Sequence, residues 1–179
     1  MWNGVESMKG DMIFGKNKIL LFRKYSGEAE NIEVATMLVF QVDHTFTYSR
    51  SLDRIVTKSG TIVKVGGLES EVSIEAIQSK EDPTGDILKE SVKKGYKLEM
   101  WEVNIDEDLK SVEGEYPAVY CQGYLDSWEI GASVEDESGV SSTFIVEKEP
   151  QEGFTGLAEN QELAVQYAFR LATGDLPTP

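Results

Sequence analysis

The chain predicts a mainly β fold of the α+β class, a two-sheet antiparallel β-sandwich or partly closed barrel with a short α-helix on its flank. Three observations lead there. Apolar and polar residues alternate at period two in several separate segments, the pattern of half-buried strands. One bounded stretch carries a helical apolar stripe, so strands outnumber helices. And 179 residues, 40% of them hydrophobic, suffice for a single domain that needs no disulfide or metal staple.

The elements follow in order. Lys18–Tyr25 (KILLFRKY) is short and apolar, closed by Ser26-Gly27. Val39–Tyr48 alternates, with Phe40, Val42, His44, Phe46 and Tyr48 on one face and Gln41, Asp43, Thr45 and Thr47 on the other. Leu68–Ile77 is the clearest strand. Leu68, Ser70, Val72, Ile74 and Ala76 face one way; Glu69, Glu71, Ser73 and Glu75 face the other, so one side packs and one is wet. Asp82-Pro83-Thr84-Gly85 breaks the pattern, and Asp86–Lys94 reads as a helix with Ile87, Leu88 and Val92 as its stripe and Gly95 as its stop. Strands resume at Tyr96–Ile105, Ala118–Ile130 and Ser141–Lys148, six in all, and Leu157–Arg170 reads as a C-terminal helix. Gly174–Pro179 has no periodicity and reads as a loose end.

Composition narrows the function. Acidic residues outnumber basic ones 32 to 17, a net charge of −15, which argues against a reader of duplex DNA. The lone cysteine, Cys121, allows no intrachain disulfide. No signal-peptide pattern opens the chain and no apolar run approaches the roughly 20 residues of a membrane span, so a cytoplasmic protein is expected.

Chemistry is sparse. One histidine and one cysteine exclude His/Cys metal constellations, and a Ser-His-Asp triad could use only His44. His44 lies on an apolar strand face and reads as a packed or interface residue. Cys121, in mid-strand, reads as an inert buried thiol. Glu69 and Glu71 have no apolar pocket to raise their pKa, and a solvated face explains them better than glycosidase chemistry. Gly66-Gly67 lacks the spacing of a phosphate loop, and Asp106-Glu107-Asp108 lacks the glycine and final glutamate of a calcium loop. No cofactor and no catalysis are expected.

Charge patterning is more informative. Tyr48–Lys64 (YSRSLDRIVTKSGTIVK) holds Arg50, Arg54, Lys58 and Lys64 against Asp53, a formal 4 − 1 = +3 inside an acidic chain. Glu99–Glu115 carries seven acidic residues and one lysine, a formal −6. Complementary patches on one chain imply heterologous self-association, in rings or filaments. The competing reading is a small acidic carbohydrate-binding module in which Trp101, Trp128 and Tyr124 form a stacking platform; against it, core packing commonly explains such aromatics.

Five segments taken together give the chain a family resemblance. They are KNKILLFRK; FQVDHTFTYSRSLDRIVTKSG with the following VGGLESEVSIEAI; LEMWEV after KKG; CQGYLDSWEIGASVEDE; and ENQELAVQYAF. In this order, from about residue 17 to residue 170, the sequence resembles the major tail proteins, or tail-tube subunits, of long non-contractile-tailed phages of Gram-positive bacteria. The 1–16 lead departs from the family as an extension.

The resemblance implies one tail-tube domain over 1–179, with a stacking arm at 49–65 and a loose tail at 171–179. It implies six-membered rings stacked into a hollow tube, with one sheet of each subunit joining an inner β-barrel. Arg50, Arg54 and Lys58 would contact the adjoining ring, and Glu69, Glu71 and Glu75 would line a lumen that repels the passing genome. Implied partners are other copies, a tape-measure protein in the lumen, and tail-terminator and distal tail proteins at the ends. DNA would transit without specific binding and no membrane would be entered. The protein would reside in the virion tail, and in the host cytoplasm before assembly.

Overall fold

The computed structural model describes residues 12–27, 33–158 and 161. Its strands are β1 (Lys18–Lys24), β2 (Thr36–Met37), β3 (Gln41–Thr57), β4 (Gly60–Ile77), β5 (Leu98–Asn104), β6 (Tyr116–Leu125), β7 (Glu129–Ile130), β8 (Gly139–Val146) and β9 (Gln151–Thr155), with helix α1 (Pro83–Lys94) between β4 and β5. All pairings are antiparallel and run in the order β2-β1-β5-β6-β8-β4-β3. β7 joins β8 and β9 joins β6 at the side. The mainly β fold with one flanking helix is therefore as the sequence predicts, but its layers belong to one continuous, unclosed sheet folded over on itself.

The sheet turns at β6. The first half of that strand, Tyr116–Tyr120, pairs with β9, and its end, Gly123–Leu125, crosses to β8. Gly123 permits the crossing: a Cβ there would lie 2.0 Å from the Ile145 carbonyl oxygen, a distance only glycine avoids. Between the folded layers sits the main core. Leu20 and Phe22 of β1, Met100 of β5 and Cys121 of β6 meet Val72 and Ile74 of β4 and Phe144 of β8, with Leu88 of α1 at the flank. Phe22 and Phe144 touch edge to face, their centroids 6.5 Å apart.

A polar seam joins the two ends of the sheet where no ladder closes it. The Leu20 amide donates to Gln41 Oε1 at 3.1 Å, and Gln41 Nε2 lies 2.8 Å from His44 Nδ1. His44 Nε2 lies 3.0 Å from Glu102 Oε2, while Lys18 Nζ bonds the other oxygen at 2.7 Å. Glu102 is buried, and burial alone would push its pKa up. The bonds from His44 and Lys18 outweigh that and hold it below its ordinary value of 4.5. His44 is thus a packed seam residue.

Several boundaries differ from the sequence reading, each for a local reason. α1 begins three residues before Asp86, because Asp82 caps it by accepting from the Gly85 amide at 3.0 Å and Pro83 occupies the first turn. The expected strand Ala118–Ile130 divides into β6 and β7. Between them the Asp126 amide turns to the Thr143 carbonyl and Ser142 Oγ donates to the Ser127 carbonyl. β2, β7 and β9, of two to five residues, were too short to show a period.

The alternation through Phe40 and Val42 is interrupted by a bulge between Gln41 and Asp43. Val42 is left exposed with Phe40, while His44 and Phe46 keep the inward face. The C-terminal helix expected at 157–170 and the tail at 171–179 lie outside the described residues, apart from Leu157, Ala158 and Gln161, as do residues 1–11 of the 1–16 extension. Leu157 packs on a second cluster, Leu21, Val103, Tyr116 and Ala118, behind the β1-β5-β6 layer.

Candidate assembly surfaces

The segment 49–65, expected as an arm, is a two-stranded β-ribbon. β3 and β4 stay paired from Gln41 opposite Ala76 to Thr57 opposite Gly60, with Lys58-Ser59 as the turn. The ribbon carries exposed Leu52, Ile55, Val56, Ile62, Val63 and Val65. A run of aliphatic side chains on a two-stranded ribbon is marginal in water and marks a contact surface.

At its root the register shifts between Arg50 opposite Leu68 and Leu52 opposite Val65, which leaves Ser51 facing the pair Gly66-Gly67. A Cβ on Gly66 would stand 2.1 Å from Ser51 Oγ, so the close approach requires glycine. The bulge has a consequence for side-chain direction. β4 below it turns its even-numbered residues, such as Val72 and Ile74, to the core; above it, odd-numbered Val63 and Val65 take that same side.

Arg50, Arg54 and Lys58 are all exposed on this ribbon. Arg50 already donates one bond within the arm, from Nη1 to the Gly66 carbonyl at 3.0 Å. The acidic stretch Glu99–Glu115, expected to be its counterpart, is partly internal. Glu99 and Glu102 are buried: Glu99 accepts from Arg23 Nε at 2.7 Å and from Tyr120 Oη at 2.6 Å, and Glu102 belongs to the seam. Glu107 is engaged by the Tyr116 hydroxyl. Counting charges along the chain overstated that surface. A different one is fully displayed. Residues 126–139 hold Asp126, Glu129, Glu135, Asp136 and Glu137 with no lysine or arginine, and all five are exposed. The Ser138 carbonyl accepts from the Gln78 amide, placing this loop at the end of β4 opposite to the arm.

Glu69, Glu71 and Glu75 lie on the exposed side of β4, as alternation predicts. Across the ladder they oppose Ser49, Thr47 and Asp43 on β3, and Glu71 and Glu75 oppose Ile145 and Ser141 on β8. Among the described residues, none of the three enters an ion pair. They share a face of hydroxyls and carboxylates without a fixed cation.

The aromatics weighed as a stacking platform do not meet. Trp101 packs with Tyr120 at 5.1 Å under Arg23, whose Cζ lies 4.9 Å from the Trp101 ring, on the second cluster. Trp128 packs against the main core and Tyr124 is exposed on β6. Cys121 is 2% exposed, and burial followed by the nearby Glu102 charge pushes its thiol up to about 12, away from any nucleophilic role. Burial and the Glu99 bond likewise push the Tyr120 hydroxyl up to about 12.

An unclosed antiparallel sheet with a projecting ribbon and a flanking helix matches a known group of proteins. The family profile described as phage tail tube protein matches residues 12–152. The chain belongs to the phage tail tube protein family. It is a structural protein of the virion's tail tube, not an enzyme.

Solved structures share its fold at low identity. One is the SPP1 tail tube, determined by solid-state NMR and cryo-EM, at 17% identity over 87% of this chain and 86% of that one, with a TM-score of 0.67. Two come from gene transfer agent particles. The native virion gives 11% identity over 80% and 98% of the chains at TM-score 0.55. The tail of the empty particle, refined with helical C6 symmetry, gives 12% over 80% and 98% at 0.57. A search of curated protein sequences finds no match.

Proposed function

We propose that copies of this tail tube protein form six-membered rings that stack into a hollow tube through which the viral genome passes during ejection. The observation that carries this is the match to tail tube proteins over 12–152, joined to an arm whose aliphatic residues are exposed among the described residues. The C6 symmetry of the gene transfer agent tail supports the number six. Stacking is head to tail: the cationic arm, with Arg50, Arg54 and Lys58 as its contact residues, reaches the next ring. The exposed acidic loop 126–139 at the opposite end of β4 supplies the complementary charge. Glu69, Glu71 and Glu75 line the lumen, where carboxylates keep phosphates hydrated and moving.

A tape-measure protein would occupy the lumen during assembly, and tail-terminator and distal tail proteins would close the two ends. Subunits would wait in the host cytoplasm before joining the virion. The single domain spans 1–179 in this reading, with 1–16 as an extension and 49–65 as the stacking arm.

Electron microscopy of the concentrated protein tests the assembly. The unaltered chain should give rings or tubes with a central hole. Arg50→Ser, Arg54→Ser and Lys58→Ser together should leave a folded subunit with impaired stacking. A species that stays monomeric under all conditions would overturn the tube, and tubes of the triple variant indifferent to salt would overturn the electrostatic part.

A further inference from the structure

The seam between β1, β3 and β5 is a chain of hydrogen bonds with a direction, and a backbone amide fixes that direction. β2 pairs with β1 only at Leu21 and Phe22, and the Leu20 amide beyond it is taken by the side chain of Gln41. A backbone amide can only donate, so the Gln41 oxygen faces Leu20 and the Gln41 NH2 faces His44. His44 Nδ1, 2.8 Å from that NH2, therefore accepts and carries no proton. The proton of the neutral ring sits on Nε2 and is donated to Glu102 Oε2 at 3.0 Å, while Lys18 holds Oε1.

We propose that this chain of bonds is an acid-sensitive latch, which ties the two ends of the sheet together only while His44 is neutral with its proton on Nε2. A second proton has to go on Nδ1, where the Gln41 NH2 already points. Turning the Gln41 amide over would satisfy the charged ring but would set its NH2 against the Leu20 amide. Either way one donor faces another, and the link from His44 to Leu20 is broken. Leu20 is completely buried, so its amide cannot lose an acceptor without cost, and the seam must open to let water replace it.

The other groups around the ring leave this conflict in place. On β4 His44 lies opposite apolar Ile74, and the neighbouring Asp43 stands on the exposed side opposite Glu75. Cys121 of β6 has its thiol pushed up to about 12 by burial and then by the Glu102 charge. Burial raises the Tyr48 hydroxyl, further along β3, above its ordinary value as well, so both groups stay neutral. Lys18 and Glu102 keep the Nε2 side ionic, which makes Nδ1 the place where the ring titrates. The Glu102 carboxylate favours the second proton and the Gln41 NH2 opposes it, so acid decides between them. Protons reach the ring without unfolding, because His44 shares a groove of about 600 Å³ with Lys16, Lys18, Gln41 and Asp43.

His44 is the only histidine, so the imidazole nitrogen signals of an isotope-labelled subunit belong to one ring. In mildly alkaline solution Nε2 should carry the proton and Nδ1 none. As the pH is lowered, Nδ1 should take up its proton while the subunit stays folded. In the same step the Leu20 amide should lose protection from hydrogen exchange by about tenfold or more. The Met100 amide, on a strand paired along both edges, should keep its protection. A proton on Nδ1 at the outset, or a ring that stays neutral until the whole subunit unfolds, would overturn the latch. So would a Leu20 amide equally protected before and after the ring is charged.

Gln41→Glu separates the latch from the general effect of acid. A carboxylate accepts at both ends, so it can hold a charged His44 and the Leu20 amide together. In this variant the ring should titrate with no loss of protection at Leu20. Equal loss in the variant and the unaltered protein would place the cause outside His44 and overturn the latch. Each measurement is made on the single subunit, so the latch stands or falls independently of the tube.

Discussion

Between Gln41 opposite Ala76 and Ser49 opposite Glu69, β3 and β4 pack one face against the core and leave the other in water; beyond Arg50 the same two strands leave both faces open. In the body, Val72, Ile74 and Ala76 are buried, and Glu71, Ser73 and Glu75, which alternate with them, are exposed. In the arm no residue is buried, yet six aliphatic side chains are present. The hydrophobic residues of the body stabilise the subunit, and those of the arm pack on no core among the described residues. One pair of strands therefore serves folding at one end and, in the proposed assembly, association at the other, and substitutions should sort accordingly.

The largest effect belongs to the body. Phe144 is completely buried against Phe22 and spans the two layers. Phe144→Ala should cost about 3–5 kcal/mol by lost burial and the cavity left behind. Urea unfolding of the monomer reads this directly. The exposed arm variants should shift the same curve by no more than about 0.5 kcal/mol. If an arm substitution destabilised the monomer as much as Phe144→Ala, the division between folding and association would be wrong.

A smaller and pH-dependent effect belongs to the seam. Glu102 is held below its ordinary pKa, so its pairing stabilises the fold above about pH 4.5 and is lost as pH falls through the lower folded value. Glu102→Gln removes the charge that His44 and Lys18 face. It should cost on the order of 3 kcal/mol at pH 7, as for one partner taken from a buried pair. The gap between the two proteins should narrow as the solution is acidified below pH 4.5. A gap constant from pH 7 to pH 3 would show that the seam depends on shape alone. The prediction sharpens the comparison, because the seam is where the body closes on itself and the arm has no counterpart to it.

Much of the body was legible in the sequence because packing leaves a periodic trace. Leu68–Ile77 alternated cleanly, and its observed burial follows the same rhythm. The helix showed its stop at Gly95, whose φ is 68°, but its start was masked by a proline that serves as the first turn. The arm was legible only as charge. Ile55-Val56 and Ile62-Val63 place apolar residues on both faces, so no alternation marks them as strand.

Glu99 and Glu102 misled for the opposite reason. Acids count as surface in a sequence, and only the folded neighbours Arg23, Tyr120, His44 and Lys18 show why two of them are inside. β9 was too short to declare itself, and Val42 sits in a bulge that no local pattern announces.

The smallest effect on stability belongs to the wet face of β4, where the comparison is most exposed to failure. Glu69, Glu71 and Glu75 stand on the solvent side of strands whose other side is core. Replacing all three with Gln keeps their size and hydrogen-bonding capacity and removes three like charges from one face. Monomer stability should change by less than about 0.5 kcal/mol. Tube formation should persist, because the proposed stacking surface is the arm. What should change is the passage of DNA. In the proposed tube, three fewer carboxylates per subunit would weaken the repulsion of phosphates from the wall, and the genome should leave the particle more slowly. Ejection timed on particles carrying the triple variant reads this. Unchanged timing in normally assembled particles would remove these residues from the lumen and leave the wet face as a solvated surface only.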